Sequence, residues 1–264
     1  MATSRQISIE SSCTSHRRNR IMSENSIVYG INPVTELLRA KRRRIERLYL
    51  LSGSKSPNLR RITDLLRERG MRPEYVQRDF LGNISKSSEH QGVVALCEPI
   101  GIVSHRLFLD EAARYSNILI VSNVQDPHNL GAVIRSAYLF SFNGIVLTRR
   151  NTASITPAVV KASSGAIEYV DIAIEENLPQ VLIDLKRAGY KVISLDAKGD
   201  REIRDIDIGG KVAIIVGGED AGIHKRLFSL SDYVVRIPIS DDNFSLNLSV
   251  SAAIMMYKIN EIKK

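Results

Sequence analysis

Asn129, Arg135, Glu219, Ser245 and Asn247 lie in three short polar stretches, each directly after a run rich in β-branched residues. Asn123-Val124-Gln125-Asp126-Pro127-His128-Asn129-Leu130-Gly131 follows Ile118-Leu119-Ile120-Val121 and leads toward Arg135. Gly217-Gly218-Glu219-Asp220-Ala221-Gly222 follows the run 212–216, and Ser240-Asp241-Asp242-Asn243-Phe244-Ser245-Leu246-Asn247 follows the run 234–239. These residue types suit work on an anion. An arginine offers a planar fork of N–H donors that grips phosphate or carboxylate bidentately. A helix N-terminus, expected near Asn129, favours negative charge. Gly217, Gly218 and Gly222 allow backbone to approach a ligand where Cβ is missing, and Glu219 could hold Arg135 in an ion pair or accept a proton. Each residue also has a plainer reading. Asn129 and Ser245 could simply cap helices, the glycines could simply turn the chain, and Arg135 could be a surface charge opposite the apolar stripe of Val133, Ala137 and Phe140.

What would bring these stretches together is an α/β domain. The spacing predicts strands at 117–122, 144–148, 169–173, 191–195, 212–216 and 233–239 with helices between most of them, hence a mostly parallel sheet covered on both faces. Pro238 ends the last ladder because it has no N–H. Ser245 is the expected N-cap of a terminal helix whose stripe is Val250, Ala253, Ile254 and Tyr257. In such sheets ligands sit beyond the carboxyl ends of the strands, so three polar loops from one sheet can converge on one site.

Ahead of this domain, residues 25–98 read as a small α/β unit. A helix opens at Asn32-Pro33 and a strand covers Ile45 and Leu48-Tyr49-Leu50-Leu51. A second helix after Ser56-Pro57 puts Leu59, Ile62, Leu65 and Leu66 on one face, and a further strand follows His90-Gln91-Gly92. Residues 99–106 read as a linker and 107–264 as the second domain, with the front unit expected to be separable from it. The net charge of +8 is uneven: +3 over residues 1–22, +4 over 23–112 and +1 over 113–264. A basic front half fits recruitment of a polyanion. Arg39, Lys41, Arg42, Arg43, Arg44 and Arg47 form a cluster able to neutralise several phosphates, and without an aromatic platform beside them folded RNA is the expected ligand.

Residues 1–24, Ser- and Arg-rich with few acids, read as a disordered extension. Translation from Met22 is the preferred account of it and an organellar transit peptide the other. Two cysteines, Cys13 and Cys97, argue against a disulfide framework, and the five histidines show no metal-ligand spacing. No apolar run reaches the length of a membrane helix; a cytoplasmic protein without metal is expected.

The pattern N-x-x-D-P-x-N-x-G-x-x-x-R at Asn123 to Arg135, G-x-E-x-x-G at Gly217 to Gly222, and I-P followed by S-L-N-x-S at Ile237 to Ser249 resembles the three motifs of the SpoU (TrmH-type) RNA ribose 2′-O-methyltransferases. The front unit is similar to the RNA-binding domain of the ribosomal-RNA branch. The resemblance implies a trefoil knot in the C-terminal domain, a homodimer paired through it, and S-adenosylmethionine held bent by main-chain groups at Gly217, Gly218, Ile237 and Leu246, with Ser245 nearby. Ser163, Ser164, Gly165 and Ala166 are expected to line the same region. It implies that Arg135, Asn129, Glu219, Ser245 and Asn247 serve catalysis. Because a guanidinium hardly ever loses its proton, Arg135 is read as gripping the target phosphate and stabilising the developing alkoxide. The expected substrate is a guanosine of large-subunit (23S) ribosomal RNA; transfer RNA and a catalytically inactive RNA-binding assembly factor are the alternatives. A nucleotide-binding oxidoreductase is disfavoured by the missing glycine fingerprint. Asp241 and Asp220 stand where the family commonly has glycine, and Lys258 where it has glutamate.

Overall fold

A computed structural model describes residues 26–110, 115–218, 222–241 and 243–263. In the front unit, β1 (Ser26–Tyr29), α1 (Ile31–Ala40), β2 (Ile45–Leu51), α2 (Pro57–Glu68), β3 (Glu74–Val76), α3 (Arg78–Ser85) and β4 (Val93–Cys97) follow in order. The four strands form a sheet in the order β1-β4-β2-β3, with only the β2–β3 pair parallel. Leu59, Ile62 and Leu66 of α2 and Val34, Leu37 and Leu38 of α1 bury the apolar face that their helical spacing predicts.

The chain then enters an eight-stranded, all-parallel sheet. Its strands are β5 (Ile102–Val103), β6 (Asn117–Ser122), β7 (Gly144–Thr148), β8 (Asp171–Glu175), β9 (Tyr190–Leu195), β10 (Arg201–Glu202), β11 (Lys211–Gly217) and β12 (Tyr233–Arg236). Between and after them lie α4 (Pro127–Leu139), α5 (Pro157–Ala162), α6 (Leu178–Arg187), α7 (Lys225–Phe228) and α8 (Leu248–Ile262). The strand order is β10-β12-β9-β11-β6-β7-β8-β5. Buried Ile, Leu and Val runs in β6, β7 and β11 are those of strands covered on both faces. Beyond β6 the chain moves to β7 and β8 on one side, whereas β9, β11 and β12 lie on the other. The direction of winding reverses between β6 and β11, and a ligand crevice belongs at their carboxyl ends.

Three expectations change. The segment predicted as a linker contributes β5, which pairs with β8, because Ile102 and Val103 can extend the parallel ladder. The front unit is not set apart: one apolar cluster runs from Val28, Val34 and Leu37 through Val160 and Ile167 to Met256 and Ile259. The terminal helix is rotated from its predicted orientation. Leu248, Ala252, Met255, Met256 and Ile259 face the core, while Val250 and Tyr257 are exposed. Both stripes have helical period, and the larger, more flexible methionines fill the space against α4 and β11. Smaller differences are β8 beginning two residues later than predicted and β12 ending at Arg236, before Pro238.

Among the described residues, no helix is long and apolar enough to cross a membrane, and no cluster of His, Cys, Asp and Glu could hold a metal ion.

Candidate active site at the carboxyl ends of β6, β11 and β12

The first motif loop leaves β6 at Asn123, which adopts a left-handed φ of 59°, a conformation asparagine tolerates better than most residues. Its N–H donates to Thr148 Oγ1 at 3.2 Å, and Ala153 N–H donates to Val124 C=O at 2.7 Å, tying the loop to the end of β7. Asp126, not Asn129, is the N-cap of α4: its Oδ1 accepts from His128 N–H at 2.9 Å, and Pro127 takes the first helical position, where no N–H is needed. Asn129 therefore lies inside the first turn, its side chain available for something other than capping.

The third motif loop supplies that something. Asn247 Nδ2 donates to Asn129 Oδ1 at 3.1 Å, joining residues 118 positions apart. Asn247 is also the N-cap of α8, with its Oδ1 accepting from Ser249 N–H at 2.8 Å and Ser249 Oγ at 2.6 Å. Because the cap uses the amide oxygen, the NH₂ must face outward, toward Asn129. This corrects the expectation that Ser245 caps the terminal helix. Ser245 instead lies exposed in the loop, beside Leu246.

Arg135 is on the exposed face of α4, opposite buried Leu130, Val133, Ile134 and Ala137. Its Nη1 donates to Ser164 Oγ at 3.3 Å. Ser164 holds a left-handed φ of 54°, directly before Gly165 at 87°. Serine pays a steric cost there that glycine would not. α4 is fixed beneath by Gly131, where an added Cβ would lie 2.4 Å from Ala162 Cβ and 2.9 Å from Ser163 N, so α4 and α5 meet almost backbone to backbone.

In the second motif loop the close approach served by the glycines is to the protein itself. A Cβ on Gly217 would meet the Gly222 carbonyl carbon at 2.3 Å, and one on Gly218 would meet the Asn123 carbonyl oxygen at 2.0 Å. Gly218 and Gly222 form an antiparallel bridge, with Gly222 N–H donating to Gly218 C=O at 3.0 Å. The loops after β11 and β6 thus cross in contact. Glu219, Asp220, Ala221 and Asp242 lie outside the described residues.

A cavity of about 360 Å³ opens at the third loop, lined by Ile239, Ser240, Asp241, Phe244, Ser245 and Leu246. Apolar side chains beside hydroxyls and irregular backbone suit a nucleoside-bearing cofactor, with apolar groups against a base and main-chain groups against its edges. Ser245 and Leu246, predicted for the cofactor, line this cavity. Ile237, partly buried, precedes it, and Gly217 and Gly218 lie at the neighbouring loop crossing. These residues fit S-adenosylmethionine.

The predicted RNA-binding cluster divides. Arg43 is corrected: its side chain is 4% exposed and forms an ion pair with Glu168, itself 1% exposed, while Nη1 donates to Glu98 C=O at 3.0 Å. It cannot reach a phosphate. Arg42 pairs with Asp171 and donates to Val170 C=O at 3.2 Å, so it too is engaged with the second domain. Arg39 pairs with Glu36 at 2.9 Å, Arg47 lies 3.8 Å from Glu74, and Lys41 and Arg44 are exposed. The sequence showed the charges but not their partners, and the acids that engage Arg42 and Arg43, Asp171 and Glu168, come from more than 100 positions away.

Residues 116–257 match the model of the SpoU rRNA Methylase family, and residues 27–102 match that for RNA 2′-O ribose methyltransferase substrate binding. An uncharacterized tRNA/rRNA methyltransferase from Mycolicibacterium vanbaalenii is 31% identical over 92% of this chain and 78% of its own. The 23S rRNA (guanosine-2′-O-)-methyltransferase RlmB from Coxiella burnetii is 29% identical over 90% of this chain and 96% of its own. In fold, the chain is similar to an rRNA methyltransferase from Sinorhizobium meliloti (TM-score 0.74, 23% identity, 90% of this chain and 88% of that one). It is also similar to AviRb from Streptomyces viridochromogenes (TM-score 0.72, 21% identity, 94% of each chain). With motif loops joined by Asn129 and Asn247 and both domains matched, the chain belongs to the SpoU rRNA Methylase family, S-adenosylmethionine-dependent 2′-O-methyltransferases of RNA.

Proposed function

We propose that this protein methylates the ribose 2′-hydroxyl of a guanosine in large-subunit (23S) ribosomal RNA, acting in the cytoplasm as a homodimer. The observation that carries the site assignment is the Asn247–Asn129 hydrogen bond, which joins the first and third motif loops beside the helix that bears Arg135. The ribosomal substrate is supported by the likeness to the Coxiella protein of that name and by the front unit matched as substrate-binding.

When bound, S-adenosylmethionine supplies a methyl group on a positively charged sulfur. Gly217, Gly218, Ile237, Ser245 and Leu246 would hold it. Arg135, exposed on α4 and steadied by Ser164, grips the phosphate next to the target ribose and stabilises negative charge growing on its 2′-oxygen. Asn129 and Asn247, locked to each other, orient the nucleotide. Glu219 is assigned either to holding Arg135 or to taking the hydroxyl proton.

The dimer reading rests on the exposed face of α8. Met255, Met256 and Ile259 are occupied by the core. Val250 and Tyr257 of α8 stay about 45% exposed, and Tyr257 stacks edge-on against Phe140 beside exposed Leu139. A second copy covering this stripe would remove it from water. For the knot, the contact of α8 with α4 and β11 and the crossing of Gly218 over Asn123 support a threaded C-terminus.

Mapping 2′-O-methylation in ribosomal and transfer RNA from a strain lacking the gene tests the substrate. One 23S guanosine should lose its methyl group and regain it with wild-type protein but not with Arg135→Ala. Loss confined to transfer RNA would overturn the reading. Light scattering at micromolar concentration should give twice the chain mass, and a monomer would refute the dimer.

A further inference from the structure

We propose that the groove between α2 and the edge strand β3 binds one unpaired nucleotide of the RNA substrate, its base stacked on Tyr75 and its flanking phosphates on Arg60 and Arg67. The inference deepens the RNA-methyltransferase reading and rests on it. With Arg43 buried and Arg42 held by Asp171, the front unit cannot use its sequence cluster intact for RNA. The remaining exposed cations include Arg60, Arg61 and Arg67 of α2.

The groove holds about 390 Å³, within the range of small-ligand sites. Leu50 and Leu59 form its floor, Arg60 and Arg67 stand on its helical wall, and Tyr75 forms the opposite lip. Tyr75 lies opposite Leu50 in the β2–β3 ladder, so its ring and that floor residue share one face of the sheet. Yet Tyr75 is 62% exposed, against 4% for Tyr49 on the neighbouring strand, which packs on Phe80 at 5.1 Å. β3 is the sheet edge, and among the described residues no strand pairs with its outer side. A tyrosine left open over an apolar floor is a stacking surface of the kind that single-stranded nucleic acid uses.

The wall has the matching charge pattern. Arg60, Asp64 and Arg67 recur at i, i+4 and i+7 and so share one face of α2. The two arginines stand about 10 Å apart along the axis, and both line the groove with Tyr75. Asp64 pairs with Arg67 at 3.1 Å from between them, leaving a carboxylate edge able to accept from a base amino group. Among the described residues Arg60 has no ion-pair partner. Two cations flanking an aromatic ring fit a nucleotide with its two phosphates better than they fit a duplex, whose bases are already stacked.

The test uses the full chain and short fluorescent single-stranded RNA oligonucleotides, with duplex RNA of equal length as competitor. Tyr75→Ala should weaken single-strand binding roughly tenfold or more, and Tyr75→Phe should retain it, since stacking needs the ring and not the hydroxyl. Arg60→Ala should reduce the slope of log affinity against log salt by about one. Photocross-links should map to the Tyr75 strand. Wild-type binding by Tyr75→Ala, equal competition by duplex, or cross-links confined to residues 39–47 would overturn the groove. With ribosomal RNA as the methyl acceptor, Tyr75→Ala should raise the RNA concentration needed for half-maximal turnover roughly tenfold, and an unchanged value would overturn the groove. A wild-type protein that transfers no methyl group but binds through Tyr75 would sink the proposed reaction and leave the groove standing.

Discussion

At the scale of single residues, the site rests on side chains whose roles can be separated by choosing what each substitution keeps. Arg135→Lys keeps the charge and loses the fork. If Arg135 grips phosphate and stabilises the growing alkoxide, Arg135→Lys should retain weak activity. Turnover should fall on the order of a hundred- to a thousandfold, Arg135→Ala should be almost inactive, and cofactor affinity should hardly change. Near-full turnover of the lysine variant at high pH would show proton removal instead, and lost cofactor binding in both would move Arg135 into the cofactor cradle. Ser164 provides a finer test, because its left-handed backbone would be relaxed by glycine while the hydrogen bond to Arg135 would be lost. Ser164→Gly should unfold within about 1 kcal/mol of wild type yet turn over about tenfold more slowly, the cost of a lost bond to a charged group. Equal turnover would leave Ser164 a turn residue and nothing more.

At the scale of elements, the turn before β4 holds the front unit against α5. His90 Nδ1 accepts from Gly92 N–H at 3.1 Å, Gln91 Oε1 accepts from Ile31 N–H at 2.9 Å to start α1, and Glu89 C=O accepts from Lys161 Nζ at 3.0 Å. Burial, then the charges of Arg78 and Lys161, hold the His90 imidazole below its ordinary range. In the unfolded chain the ring takes up its proton near pH 6.5; in the folded protein it does so only at lower pH. The unfolded state therefore binds more protons below pH 6.5, and stability present above that pH is lost as the solution becomes more acidic. His90→Asn keeps an acceptor for Gly92 N–H and removes the titration. Denaturant midpoints at about pH 7.5 and 5.5 should drop for wild type and hold more nearly level for the variant; parallel drops would place the acid sensitivity elsewhere.

At the scale of the whole molecule, the two domains are held by a buried ion pair and a shared apolar cluster. Arg43 comes from the loop after α1 and Glu168 from the short helix Ala166–Tyr169, where Tyr169 Oη also donates to Glu36 Oε2 at 2.7 Å. Gly165 lies so close that a Cβ would be 2.8 Å from Glu36 Cβ. Removing one partner of a buried pair strands the other charge, so Arg43→Met should cost about 3–5 kcal/mol, and Arg43→Met with Glu168→Leu should recover most of it. Chemical denaturation of the singles and the double checks this. A single variant that loses RNA affinity at unchanged stability would return Arg43 to the RNA surface.

The sequence determined what is local. Runs of β-branched residues gave the parallel strands, Pro57 marked a helix start, and the three motif loops carried enough type and spacing to indicate their family. It also placed the front charge, because charge is countable. Tertiary structure decided what depends on partners distant in the chain. Val250–Tyr257 and Leu248–Ile259 are equally good helical stripes, and only the space left by α4 and β11 selects the second. Asn247 and Ser245 both have cap chemistry, and the choice of Asn247 follows from where β12 delivers the loop. Arg43 and Arg44 are adjacent and alike in sequence, yet one is buried on Glu168 and the other faces water, because burying a charge is tolerable only where an opposite charge waits. Gly217 and Gly218 read as room for a ligand, but what their missing Cβ atoms first admit is the backbone of the protein itself.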